Sequence, residues 1–347
     1  MKKRKSVSFF IVISVLTFLA GSYINAYGSE DEHDSEEAFN PGEMIMHHVS
    51  DGYSWHFFDG PFGTIYLPVI LYSKDRGMEV FSSHKFYDEH HKVVDFNGYK
   101  LEHGHIYPVE ESRSIYDISI TKNVFAMFIS VGLMFLVFFK VRIGYKRNEG
   151  QPPSGIQSFF EPIIIFVRDE VAKPNIGPKY EKYLPYLLTI FFFIWFNNML
   201  GLLPGAANVT GNIAVTGTLA IFTFFVTQFS GNKSYWKHIF NTPGVPWWLK
   251  MPLPIMPIVE LIGVFTKPFS LTVRLFANIT AGHIIILSLF SLIFIFESIW
   301  IGPVSVLFAV FMMFLELFVA LLQAFIFTIL SAMYFGTAVE EHHEEEH

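Results

Sequence analysis

Apolar residues fill the later two-thirds of the chain in long, nearly charge-free runs. Phe125–Phe139 leads into Lys140, and Leu184–Leu203, Ile213–Phe229, Leu253–Phe296 and Val304–Tyr334 follow. A spanning helix needs about 20 mostly apolar residues, so the pattern predicts five membrane helices. Ile156–Val171 differs, because Glu161, Arg168, Asp169 and Glu170 interrupt its Phe and Ile positions. That mixture predicts an amphipathic helix lying in the membrane interface. The last two runs exceed one span and are separated only by the stretch Glu297–Pro303. The expected fold is therefore an all-α integral membrane protein of five membrane helices plus an interfacial helix, the last two a long, tilted antiparallel hairpin.

The basic residues orient these helices. Lys140, Arg142, Lys146 and Arg147 follow the first span, Arg168, Lys173, Lys179 and Lys182 precede the second, and Lys233, Lys237 and Lys250 lie between the third and fourth. Gly205–Asn212 and Glu297–Pro303 contain no Lys or Arg. Basic loops stay in the cytoplasm, so the N-terminal region is expected outside and the tail 342–347 inside.

Ahead of the spans, Lys2-Lys3-Arg4-Lys5 and the apolar run Val7–Ala20 read as a secretory signal with cleavage after Gly28, or as an uncleaved first helix. Residues 29–118 then form an acidic, His-rich extracytoplasmic extension ahead of the membrane domain, 119–341. Within it, residues 29–115 carry 17 Asp and Glu against 6 Lys and Arg. Gly63–Tyr72 and Val93–Leu101 read as strands, so this small region is expected to be part β. Hydrophobic residues make up 52% of the whole chain and charged residues 16%, against about 25% charged in a soluble domain. The absence of cysteine excludes disulfides, thiolate catalysis and Cys-ligated zinc.

The chemistry lies in the polar residues of the apolar helices. A charge at the bilayer centre costs at least ~2.5–3.5 kcal/mol, so each needs a reason. The fourth run contains Glu260, Lys267, Ser270, Arg274, Asn278 and His283, and the fifth contains Glu316, Gln323 and Tyr334. At about 100° per residue, Glu260, Lys267, Ser270 and Asn278 fall within roughly 40° of Arg274, while His283 lies roughly opposite. In an antiparallel hairpin, spacing puts Arg274 level with Gln323, His283 with Glu316, and Glu260 with Tyr334. A guanidinium is permanently charged. It cannot shuttle a proton, but it can force a neighbouring carboxylate to ionise and block leakage. Imidazole and carboxyl groups do titrate, so His283 and Glu316 are candidates for a proton relay. The other reading of these polar residues is that they only satisfy one another structurally.

Lys267-Pro-Phe-Ser-Leu-Thr-Val-Arg-Leu-Phe-Ala-Asn-Ile-Thr-Ala-Gly282 closely resembles the membrane motif of the a subunit of F-type ATP synthase. Leu322-Gln-Ala-Phe-Ile-Phe-Thr-Ile-Leu330, followed by Tyr334 and Glu340-Glu-His342, resembles that family's C-terminal helix, and Asn198-Met-Leu-Gly-Leu-Leu-Pro204 also fits. The resemblance covers about residues 119–342. It implies a non-catalytic stator subunit of the bacterial inner membrane, beside a rotating ring of c subunits. The peripheral-stalk b subunit, the remainder of the synthase, membrane lipid and protons would be its further partners. No cofactor, metal or nucleic acid is implied. Arg274 would face the carboxylate of each passing c subunit. Glu260, Ser270, Asn278, His283, Glu316, Gln323, Tyr334 and Asn212 would line two aqueous half-channels. The acid and histidine of the family's pair occur in either order, here His283 first and Glu316 second. Relatives often carry an Asp-x-Asn motif near Asn212, and here Thr210 stands in place of the Asp.

Three rival readings are weighed against this one. A His-rich metal transporter would use the extension and His342-His343-Glu-Glu-Glu-His347, which show no fixed ligand spacing inside the membrane. An intramembrane hydrolase would need a nucleophile beside its base, but Ser270 and His283 are nearly opposite on one helix. A sodium-translocating version of the same subunit differs only in the ion.

Overall fold

The structure, a computed structural model, describes residues 41–56, 63–88, 93–102, 104–110, 113–203, 205–240, 255–296 and 300–340. The signal segment 1–28, the acidic run Glu30–Glu37, His33, His90, His91, His103 and the tail 342–347 lie outside the described residues. The chain divides into two compact units. One holds the described residues up to Ile129 together with Met199–Val209 and Thr280–Leu317. The other holds Ser130–Asn198, Thr210–Ile279 and the described residues from Phe318 onward.

The first unit opens with a short helix, α1 (Pro41–Val49), and seven strands: β1 (Ser54–His56), β2 (Thr64–Tyr66), β3 (Pro68–Ser73), β4 (Gly77–Ser82), β5 (Tyr99–Glu102), β6 (His105–Pro108) and β7 (Ile115–Asp117). All pairings are antiparallel: β1 with β2, β3 between β4 and β7, and β5 with β6. Side chains alternate across a strand, so β3 buries Val69, Leu71 and Ser73 while Pro68 and Tyr72 face outward. Val69 and Leu71 meet Tyr53, Phe86, Tyr99 and Ile106 in one core. Tyr53 donates to Asp117 and Tyr99 to Glu79. Burial first, then that bond to Asp117, push the Tyr53 phenol well above its usual range. Arg113 covers the Tyr99 ring at 5.3 Å and pairs with Asp75 at 2.7 Å.

The expected β content is present, with two differences. Gly63–Tyr72 holds two strands, β2 and β3, rather than one. Val93–Leu101 is interrupted by Asn97 and Gly98, both at positive φ, with Phe96 and Tyr99 exchanging backbone bonds across them. That is the geometry of a tight two-residue turn, and β5 begins only after it.

The membrane elements are α2 (Lys122–Arg147), α3 (Ile156–Phe166), α4 (Lys173–Ile176), α5 (Tyr180–Gly201), α6 (Ile213–Ser230), α7 (Lys233–Phe240), α8 (Ile255–Phe296) and α9 (Ile301–Val339). Among the described residues, five helical stretches are long and apolar enough to cross a membrane. Where a turn is expected, α8 ends at Phe296 and α9 begins at Ile301, and residues 297–299 between them lie outside the described residues. The stretch expected as one interfacial helix behaves differently. It is α-helical only to Phe166, then widens into a π turn over Val167–Ala172. Asp169 in that turn pairs with Arg168 at 2.8 Å and Lys173 at 2.6 Å. The helical path runs on through α4 and a 3₁₀ turn into α5, so no open loop separates the amphipathic stretch from the second span.

The second unit is held by a core of Val141, Phe160, Val167, Phe192, Ile194, Leu271, Leu275, Ile279 and Phe327. A further cluster joins Val171, Ile176, Tyr183, Leu187 and Phe335. There α9 comes so close to α4 that a methyl group at Gly336 would collide with the Asn175 carbonyl. Within α8, Leu271, Leu275 and Ile279 recur at four-residue spacing and share one buried face. That burial decides where the polar residues of the same helix point.

Candidate functional site

With Leu271, Leu275 and Ile279 turned inward, Ser270, Arg274 and Asn278 are turned outward, one turn apart, and all three are exposed. Around Arg274 and Asn278 the open face carries Val273, Ala277 and Ala281, all short, while Phe269 beside Ser270 is also exposed. Among the described residues no carboxylate forms a salt bridge with Arg274. Glu260 and Lys267, expected on the same stripe, are only half-buried. Small residues beside a long cationic side chain leave room for another helix to approach.

The face of α9 within this unit presents Gln323, which is buried, and Tyr334, which is half-buried. The ring of Tyr334 lies under the Lys267 ammonium at 5.3 Å. Lys267, rather than Glu260, therefore meets Tyr334, and the expected levels are displaced by about two turns of helix there. Arg274 and Gln323, expected to be level, face different surroundings, one exposed and the other buried. Pro268 lies inside α8, between Lys267 and Arg274.

His283 and Glu316 belong to the first unit, and the structure brings them together. Nε2 of His283 lies 3.5 Å from Oε1 of Glu316, with side-chain exposures of 12% and 4%. Neither carboxyl oxygen has a hydrogen-bond partner among the described residues. A buried carboxyl group usually has one, and the nearest nitrogen here is that of the His283 imidazole. Two glycines frame the pair. A methyl group at Gly282 would come 2.9 Å from Glu316 Oε1, and one at Gly201 would come 3.8 Å from His283 Nε2. Gly282 closes the motif Lys267–Gly282 and Gly201 lies within Asn198–Pro204, the stretches that carry the family resemblance.

Asn212 caps α6: its side-chain oxygen accepts from the Ala214 N–H at 2.9 Å. Thr210, at the place of the missing Asp, is buried and donates to Asn198 Oδ1 at 2.5 Å, while Asn198 Nδ2 donates to the Ala320 carbonyl at 3.2 Å. This chain ties the start of α6 to α5 and α9. Thr210→Val leaves the buried Asn198 oxygen unsatisfied, at an expected loss of about 1–3 kcal/mol. The check is the thermal midpoint of the purified assembly, and an unchanged midpoint would remove the structural role of Thr210.

Residues 124–336 match the ATP synthase A chain family. Residues 44–125 match a domain of unknown function. The chain is 43% identical over 310 residues to ATP synthase subunit a of Chloroherpeton thalassium, covering 87% of this chain and 79% of that protein. It is 42% identical over 314 residues to ATP synthase subunit a 2 of Chlorobaculum tepidum, covering 88% and 75%. To ATP synthase subunit a of an Anaeromyxobacter strain it is 39% identical over 335 residues, covering 93% and 76%. With five apolar helices, the arginine helix and a family match running almost from the first span to the last, the chain belongs to the ATP synthase A chain family, the ion-translocating membrane subunit of that complex.

Proposed function

We propose that this chain is the proton-translocating stator subunit of a bacterial ATP synthase and that Arg274 faces the carboxylate of each c subunit as the ring turns past it. The observation that carries the reading is the exposed Arg274 on α8, set among short side chains and without an acidic partner among the described residues. A guanidinium in an apolar helix is costly, and a partner outside the chain accounts for it. His283 and Glu316 serve one of two aqueous half-channels, their unsatisfied carboxyl group exchanging protons with water that reaches it. Glu260, Ser270, Asn278, Gln323, Tyr334 and Asn212 belong to the same paths.

The chain performs no covalent chemistry and needs no cofactor. It couples ion flow to rotation and leaves ATP chemistry to other subunits, held in place through the b-subunit stalk. Residues 29–118 are extracytoplasmic, 119–341 form the membrane domain, and 342–347 lie in the cytoplasm of a bacterium, whose inner membrane the chain spans.

The ion is tested with the reconstituted synthase in sodium-free vesicles. An imposed pH gradient is expected to drive ATP synthesis without added sodium, and a protonophore is expected to abolish it. Synthesis that requires sodium and survives the protonophore would instead establish the sodium-translocating form.

A further inference from the structure

The N-terminal strands, Met199–Val209 and the part of the last two helices that carries His283 and Glu316 belong to one compact unit. A continuous set of contacts runs through it. Trp55 is the central residue of β1, opposite Ile65 of β2, and is buried. Its indole N–H donates to the Gly205 carbonyl at 2.5 Å, and its ring meets Phe125 edge-on at 5.8 Å. The strand is fastened to α2 just before this point. Asp51 Oδ1 accepts from the backbone N–H groups of Gly52 and Asn123, at 2.9 and 3.0 Å, and Lys122 donates to the Ser50 carbonyl at 2.9 Å. The strand that carries the indole is thus bonded to the start of α2.

On the other side of that bond, Gly205 adopts a left-handed conformation at φ 71°. Ala207, Asn208 and Val209 after it are all buried. The Ala207 carbonyl and the His283 imidazole lie against the same point of α5, because a methyl group at Gly201 would meet them at 3.6 and 3.8 Å. His283 then meets Glu316 at 3.5 Å. A short connecting segment has little structure of its own to hold it, and here a side chain from the extension supplies the hold.

We propose that the N-terminal strand domain is a positioning element of the ion path. Trp55, through the Gly205 carbonyl, holds Gly205–Val209 beside His283 and so sets how the His283–Glu316 pair exchanges protons. This rests on the reading of that pair as part of a half-channel. Gly205–Val209, the described part of α8 from Thr280 and α9 as far as Leu317 carry no titratable group besides His283 and Glu316. The domain contributes Asp51, Lys122 and His56 around Trp55, with His56 Nδ1 2.7 Å from Thr64 Oγ1.

The test uses the whole synthase, labelled in right-side-out vesicles that expose the extracytoplasmic face and assayed for pumping in inverted vesicles, and exploits the absence of cysteine from this chain. Ala207→Cys places a thiol at a buried position, expected to react slowly with a membrane-impermeant maleimide. Adding Trp55→Phe, which keeps a ring against Phe125 but removes the N–H donor, is expected to raise the labelling rate severalfold. Trp55→Phe alone is expected to shift the pH profile of ATP-driven proton pumping, and Trp55→Ala to shift it further. Should Trp55→Ala fail to assemble, Trp55→Phe carries the test. Unchanged labelling overturns the proposal. Faster labelling with an unmoved pH profile overturns it too, because the clamp would then be structural alone. Glu316→Gln is measured in parallel. If it pumps normally, the reading of the pair fails. If it pumps poorly while the Trp55 variants match wild type, only the positioning role fails.

Discussion

Arg274→Ala is expected to abolish ATP-driven proton pumping while the chain still folds and assembles. The structural half of that expectation rests on exposure. Arg274 stands on the open face of α8 and pairs with no carboxylate among the described residues, so its removal leaves no buried group unsatisfied. An alanine there is also easier to insert into a bilayer than an arginine. The functional half rests on Coulomb's law. A guanidinium about 4 Å from a carboxylate, at an effective dielectric of about 20, favours the ionised form by about 4 kcal/mol. At about 1.4 kcal/mol per pH unit, that holds a carboxyl ionised over roughly three units. Without it, a c-subunit carboxyl group can pass the stator still protonated, and ATP hydrolysis no longer compels proton transfer. The measurement is proton uptake by inverted vesicles at matched levels of assembled enzyme. Arg274→Lys keeps the charge but presents a compact ammonium in place of a planar fork, so it is expected to restore only part of the coupling. Normal coupled pumping in the alanine variant would end the central claim.

The second large effect is expected at Glu316. Glu316→Gln preserves size and removes titration, and pumping should fall on the order of tenfold or more if the carboxyl group relays protons. Gly282→Ala provides a separate geometric test. Its methyl group would sit 2.9 Å from Glu316 Oε1 and 3.0 Å from Cδ, so the flexible end of the glutamate must swing away. Both titratable groups survive in that variant, and only their approach is lost. Reduced pumping in both variants fits a relay. Reduced pumping in Glu316→Gln with wild-type pumping in Gly282→Ala would mean that the charge matters but its contact with His283 does not.

The family and the membrane architecture are legible in the chain because each follows from local pattern. The predicted run Ile213–Phe229 differs by one residue from the observed helix Ile213–Ser230, since apolar length over one stretch is enough to define a span. The level of His283 with Glu316 is legible as well, because two antiparallel helices joined by a short turn leave little freedom in register near that turn. Further along, the same reasoning loses accuracy. Pro268 lies between Glu260 and Arg274, and Lys267 is found where Glu260 was expected.

Helical phase put Ser270, Arg274 and Asn278 on one stripe, but whether that stripe faced inward or outward depended on what Leu271, Leu275 and Ile279 packed against. The least legible features are contacts between distant residues of ordinary type. Thr210 and Asn198 are 12 positions apart, and Trp55 and Gly205 are 150 apart. A hydrogen bond between such residues depends on where two backbones come to rest, and a single amide or indole leaves no periodic trace. The number and polar inventory of the spans thus belong to the sequence, because hydrophobic transfer acts residue by residue along a helix. The outward aim of Arg274, the closeness of His283 to Glu316 and the seat of Trp55 on Gly205 belong to the tertiary structure, because packing alone decides which groups lose contact with their surroundings and which keep it.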